Sequence, residues 1–553
     1  AYELTSQGLN FWPDLVAATV GAVARLRENG VPRYRVEELD QLAELSWRYS
    51  EPGKADDLAR GLVTNVQEVG WDAAADDQGR VLSLFRRRGA GAGSTVDAQL
   101  DATRALLETG LVLENLCLTV VAREFLRKDS YWPLLTKRER WYGTAYETYA
   151  FDSASIRQLQ CLRAPRRGGI MTPRPTPFLP RDVRIRAPPP EPRPVPTPLA
   201  AEDPTAPQPL AVGNGWTASY STDREFGRPR GAVFMNARLG SIGESPESYV
   251  LALIWRLACL DNLRERLWPA RTAGLQYALD VGPRGVSLSF SGYSDGLAAL
   301  ARDVSQSAAK FVPDEASTAR LADVIRRDLQ DKSKPYVAAG FAATRALTRD
   351  GAFADQELVK ALDAIFADGA AGAAVRVKAF ARDNLWAGGR PAFARGGDIL
   401  VEGNFDEKEA RALAAAVASA LPLRPGGPSL PTPRGPALPT TPVVLRIGAE
   451  EIGTEERNSA AELLLAVGSG PRAIALASVL SALLKPIFFD ALRTKEQLGY
   501  VVQLGQRALP GAARSVALVL LVQGEKPPSA LTRRLRKFVT TEAAAAVRNL
   551  DEK

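Results

Sequence analysis

Two proline-rich tracts decide how this chain can be divided. Residues 163–209 contain runs such as Ala187-Pro188-Pro189-Pro190-Glu191-Pro192-Arg193-Pro194, and a second tract covers 422–442. Proline lacks an amide hydrogen and fixes its own φ, so neither tract can sit inside a helix or a central strand. Both read as extended linkers of polyproline character. Three folded blocks remain, which suits 553 residues, too many for one hydrophobic core. A hydrophobic share of 46% and a charged share of 24% fit ordinary globular blocks.

The first block, 1–160, is mostly helical in pattern. Pro13 opens a helix with Leu15, Ala18, Ala22 and Leu26 on one face, and Gly30 stops it. Pro32 opens a second, with Val36, Leu39, Leu42, Ala43 and Leu45 as its apolar stripe. Gly89–Ser94 reads as a flexible loop, 96–109 as a helix, and 113–121 as a strand. The chain opens on a strand-like Tyr2-Glu3-Leu4 and closes on Asp551-Glu552-Lys553 after a helical run, so both ends read as cut.

The block 215–421 predicts a strand at 231–239 and a long helix over 247–267, with Ser245 as its N-cap. A strand, a turn at Gly282-Pro283-Arg284-Gly285, a return strand and a helix to Phe311 follow. Further helices fill 316–383, a strand ends at Gly403-Asn404, and a last helix covers 407–421. In 443–553 the pattern predicts strands at 443–447 and 461–467 and an apolar helix over 473–492. A charged turn, Arg493-Thr494-Lys495-Glu496-Gln497, then leads through Gly499 into strands at 500–504 and 516–523, joined around Pro510-Gly511. The order strand, long helix, strand, hairpin, helix thus occurs twice, in 231–311 and 461–538. The expected fold class is α+β, built from repeated units of sheet and helices.

The chain contains no histidine. That excludes a Ser-His-Asp triad, a Cys-His pair and any histidine-ligated zinc. The three cysteines, Cys117, Cys161 and Cys259, are scattered and form no disulfide framework. The net charge of +7 is modest for this length, and clusters such as Arg86-Arg87-Arg88 and Arg533-Arg534 are short, so no nucleic-acid partner is expected. No uninterrupted apolar run reaches membrane-spanning length, and no membrane association is expected.

The run Leu492-Arg493-Thr494-Lys495-Glu496-Gln497-Leu498-Gly499-Tyr500 closely resembles a signature of the insulysin (insulin-degrading enzyme) branch of the M16 inverted-zincin peptidases. Further segments resemble family markers: Trp141-Tyr142-Gly143-Thr144, Thr176-Pro177-Phe178-Leu179-Pro180, Gly292-Tyr293-Ser294-Asp295, and Gln523-Gly524-Glu525-Lys526. The resemblance implies the end of a second domain (1–160), a linker (161–214), a third domain (215–421), a second linker (422–442) and part of a fourth domain (443–553), in a clamshell chamber. It implies that Arg493 and Tyr500 reach the substrate, and Phe489, one turn before Arg493, would line the same pocket. From the residues alone, the preferred reading is an ion pair of Arg493 with Glu496 and a half-buried strand position for Tyr500.

Family members cleave peptides with one zinc, held in a first domain by a His-x-x-Glu-His motif and a downstream Glu. No residue of this chain matches a metal ligand or the general base. The expectation is the substrate-binding portion of a zinc metalloendopeptidase, inactive by itself, whose parent carries zinc. The alternative is an inactive homologue that binds peptides or serves as a partner subunit. The implied partners are peptide substrates, a zinc-bearing N-terminal domain in cis or in trans, and a second copy in a homodimer. The implied compartment is the cytoplasm.

Overall fold

A computed structural model describes residues 4, 6–49, 53–69, 96–126, 135–150, 174–187, 206–330, 334–347, 353–387, 390–428, 430, 443–448, 456–509 and 515–549. The strand-like start at Tyr2, the Gly-Ala loop at 89–94, Cys161, most of both proline tracts and the loop at Pro510-Gly511 lie outside these residues. The chain forms two compact units, Ala1–Leu179 and Pro180–Lys553.

The first unit is helical. Its helices are α1 (Trp12–Asn29), α2 (Arg33–Arg48), α3 (Ala55–Val69) and α4 (Val96–Thr109). Pro13 lies in the first turn of α1, and Gly30 follows its end at φ 72°, as the sequence predicts. The strand expected at 113–121 does not form: Leu113–Asn115 is a 3-10 turn and 116–122 runs on unpaired. Among the described residues, no neighbouring strand completes a ladder with the apolar residues there. A short hairpin, β1 (Lys137–Arg138) with β2 (Ala145–Tyr146), presents Trp141 and Tyr142 to solvent at its tip. The buried carboxylate of Glu38 pairs with Arg35 at 3.0 Å and accepts the Thr176 amide at 2.7 Å.

Among its described residues the second unit holds a short parallel pair, β8 (Ala392–Ala394) with β10 (Leu423–Pro425), and two larger sheets. The larger comprises β3 (Gln208–Leu210), β4 (Trp216–Thr222), β5 (Arg230–Arg238), β6 (Gln276–Gly282), β7 (Gly285–Tyr293) and β9 (Gly397–Gly403), in the order β3-β4-β9-β5-β7-β6. Between β5 and β6 runs α5 (Pro246–Arg266), capped by the Ser245 hydroxyl, which accepts the Ser248 amide at 3.1 Å. After β7 come α6 (Ser294–Lys310), α7 (Glu315–Gln330), α8 (Pro335–Leu347), α9 (Asp355–Ile365) and α10 (Gly369–Asn384). Beyond β9, α11 (Glu407–Ala420) closes the domain. Helices α7, α9 and α10 pack on α5 and bury it from a second side. Two indole N–H groups tie the end of α11 down: Trp216 donates to the Leu421 carbonyl at 2.7 Å and Trp386 to that of Pro422 at 3.1 Å.

A strap crosses this domain at 180–186. The Arg181 and Asp182 amides donate to the Asp295 carboxylate at 2.8 and 3.2 Å. The Arg186 guanidinium meets Glu409 at 2.6 Å, and Asn404 receives the Arg186 amide at 2.7 Å.

The smaller sheet comprises β11 (Ser459–Ser469), β12 (Val501–Ala508) and β13 (Ser515–Gly524), all antiparallel, in the order β11-β13-β12. One face, with Ala461, Val502, Leu504, Leu518, Leu520 and Val522, packs on α12 (Gly470–Phe489) and α13 (Pro528–Phe538). Phe488 and Phe538 meet edge to face there, with centroids 4.9 Å apart. Such a pair adds about 1 kcal/mol to their burial. The other face carries the ion pair of Arg507 with Glu462 at 2.5 and 2.7 Å and receives α8. The strand expected at 443–447 does not form: Val443, Val444 and Leu445 are exposed and pair with no strand among the described residues. The helix Gly470–Lys495 is long and apolar enough to cross a membrane by length and composition, although its uninterrupted apolar run is short. Lys485 interrupts the apolar run but not the helix, and Ala477, Leu484 and Phe488 face the sheet as core.

Candidate functional site

The site is built where α12 runs out. Its last turn passes into a π-helical segment, Asp490–Lys495, with Leu492 buried beneath it. Such wider turns recur at functional sites. Gln497 then takes a positive φ of 49°, and the chain doubles back into β12. Gly499 and Gly524 allow this corner. A Cβ on Gly499 would lie 1.8 Å from the Gln523 carbonyl, and one on Gly524 1.9 Å from that of Leu498, so the two backbones cross where no side chain fits.

This corner brings together all three residues singled out in the sequence. The Arg493 guanidinium carbon lies 4.4 Å from the Tyr500 ring centroid and 5.2 Å from that of Phe489, and Arg493 Nη1 donates to the Tyr500 carbonyl. Both aromatic rings are exposed, Tyr500 at 82% and Phe489 at 44%, so the half-buried strand position considered for Tyr500 is not adopted. Cation–π contact of this kind holds an arginine in place while leaving N–H donors free to bind. The ion pair considered between Arg493 and Glu496 is also absent. Glu496 pairs instead with Arg534 at 2.6 Å, and Arg534 also meets Glu542 at 2.7 Å. Lys495 is neutralised by Asp490 at 2.7 Å.

A groove of about 850 Å³ extends from this corner along β12. It is lined by Lys485, Pro486, Phe489 and Arg493 on the helix side, by Tyr500 to Arg507 along the strand, and by Val519 and Leu521 of β13. No Asp or Glu lines it, and Arg507 is already paired with Glu462, so Lys485 and Arg493 make its field positive. The sequence does not announce Lys485 or the β12 edge, because both become part of one groove only once α12 lies beside the strand.

Among the described residues, no three His, Cys, Asp or Glu side chains form a metal-binding cluster. Burial pushes the Cys259 thiol up to about 12, so it supplies no thiolate at neutral pH. This donor set does not fit zinc.

Comparison with known proteins agrees with this architecture. The middle or third domain of peptidase M16 matches residues 88–361, and the C-terminal lobe domain 4 of PQQ synthase PqqF-like proteins matches 479–553. Insulin-degrading enzyme of Homo sapiens is 25% identical over 559 residues, covering 98% of this chain and 48% of the relative. Insulin-degrading enzyme of Drosophila melanogaster is 22% identical over 547 residues, covering 98% and 50%. The crystal structure of pitrilysin superposes with a TM-score of 0.61 at 18% identity, over 99% of this chain and 52% of that one. The chain therefore spans about half the length of the relatives it matches. With matching domains, alignment to insulin-degrading enzymes along 98% of its own length and a shared α+β fold, this chain belongs to the peptidase M16 family as an insulysin-like member.

Proposed function

We propose that this chain is the substrate-binding portion of a zinc metalloendopeptidase, and that Arg493, Tyr500 and Phe489 receive the peptide. The observation that carries this reading is the Arg493 guanidinium held between two exposed rings at the mouth of a positive, otherwise apolar groove. Peptide hydrolysis builds negative charge on the scissile oxygen, and a pre-oriented guanidinium or phenol stabilises such charge or holds a substrate carbonyl. The exposed Phe489 ring gives the peptide's side chains apolar surface. In the parent, zinc would supply Lewis acidity and the activated water. The described residues of this chain offer it no seat, so their part is binding and charge.

Arg493→Ala in a parent protein carrying a zinc-bearing half should lower kcat/KM by roughly tenfold to a hundredfold. Zinc content and circular dichroism should stay unchanged. Unaltered kinetics would refute the assignment.

The second reading is an inactive M16 homologue that binds peptides or pairs with an active subunit; the absence of histidine favours it. The two separate on cleavage. Chelator-sensitive peptide hydrolysis by the natural protein supports the first reading, and peptide binding without hydrolysis supports the second.

A further inference from the structure

The groove runs along an unfinished sheet. β12 pairs with β13 on one side, and among the described residues nothing pairs with its other side. The direction of its backbone follows from one bond: the Leu509 amide donates to Ser515 at 2.8 Å, so residue 509 faces β13. In an antiparallel ladder, residues of one parity face the partner and those of the other face away. The odd residues 501–507 therefore face β13, while Val502, Leu504 and Gln506 turn their N–H and C=O groups to the open side. The Tyr500 carbonyl begins the same outward row, and Arg493 already takes it.

We propose that the open edge of β12 takes up an extended peptide as a fourth strand, with a carboxylate of that peptide held by Arg493 and Lys485. This deepens, and rests on, the peptide-binding reading above. An edge strand with unpaired groups is a template for another strand. Here neither proline nor a charged residue occupies the outward row 502–506. The helix rim of Lys485, Pro486 and Phe489 gives one set of the peptide's alternating side chains a surface. Opposite, Gly505 puts no side chain beside the edge, and its largely buried cross-strand partner Val519 lines the groove there. Charge selects the occupant. Lys485 makes no ion pair among the described residues, Arg493 faces no carboxylate, and no acidic side chain lines the groove, so an acidic, apolar peptide is complementary.

The test is fluorescence anisotropy of this chain with a labelled octapeptide of alternating Val and Glu. Binding is expected, and N-methylation of every second amide, tried in both offset patterns, should weaken it about tenfold in at least one. Gly505→Val should weaken it similarly with an unchanged urea midpoint, since a Cβ at 505 meets nothing within 4 Å in the free protein. If Arg493→Ala abolishes binding while neither N-methyl pattern matters, the peptide-binding reading stands and strand addition falls. If none of these changes matters, or no binding occurs up to about 1 mM, both fall. A dimer that Gln506→Pro dissociates, with no peptide uptake, would assign the edge to a second copy and overturn the proposal.

Discussion

The two larger sheets of the second unit are copies of one plan, finished differently. In both, a strand, a long helix, a hairpin and a helix follow in sequence, and the strands lie in the same order, β5-β7-β6 and β11-β13-β12. The correspondence reaches single residues. Asp261-Asn262-Leu263-Arg264 at the end of α5 matches Asp490-Ala491-Leu492-Arg493 after α12. The backbones cross at Gly274 and Gly292 in the first copy and at Gly499 and Gly524 in the second. The first copy then closes its corner. A short helix, Trp268–Thr272, follows α5, and Leu275 is fully buried. Arg264 points to solvent near Asp261. The second copy puts an exposed Tyr500 where Leu275 stands and lays Arg493 over it. The long helices differ as well: α5 buries eight residues under α7, α9 and α10, whereas α12 buries only Ala477, Leu484 and Phe488. The same topology thus yields a packed corner in one copy and an open cationic groove in the other. The difference lies in a few side chains and in what covers the helix.

The largest effect expected from breaking this comparison is at the crossings. Gly524→Ala should cost roughly 3 kcal/mol, because the Cβ would sit 1.9 Å from the Leu498 carbonyl. A stability loss of less than about 0.5 kcal/mol, read from the urea midpoint, would remove the close approach on which the matched corners rest. Exchanging the corner residues comes next. Leu275→Tyr overfills a closed site and should destabilise by about 2 kcal/mol, while Tyr500→Leu should stay within about 0.5 kcal/mol. Equal costs would mean that both corners are packed.

A smaller effect concerns the strap, for which the second copy has no counterpart among the described residues. The Arg186 guanidinium holds the Glu409 carboxylate below its ordinary value of 4.5. A depressed carboxylate stabilises the fold fully above that value, and the contribution is lost as pH falls through the lowered one. Hydrogen exchange at the Arg186 amide should therefore speed up as the pH is lowered below about 4.5, relative to the core amides of β5. An unchanged ratio would mean that the ion pair does not hold the strap.

The sequence makes local chemistry legible. The i, i+4 spacing of Phe489 and Arg493 puts those two on one helix face, the resemblance to the M16 signature adds Tyr500 to them, and the two-copy order shows in the pattern of strands and long helices. What stays hidden depends on partners distant in sequence. The runs 113–121 and 443–447 have strand-like composition, yet a strand exists only where another completes its ladder. Glu496 takes Arg534, 38 residues on, rather than its neighbour Arg493. The open edge of β12 is invisible for the same reason, since it is defined by what does not pair with it.

The central claim is that the second copy's corner receives peptide and the first copy's does not. The most direct test measures the affinity of this chain for the acidic Val/Glu octapeptide after Arg493→Ala and, separately, after Arg264→Ala at the matched position. The account predicts a loss of roughly tenfold or more for Arg493→Ala and no change for Arg264→Ala. Equal effects from the two substitutions, or none from either, would contradict it.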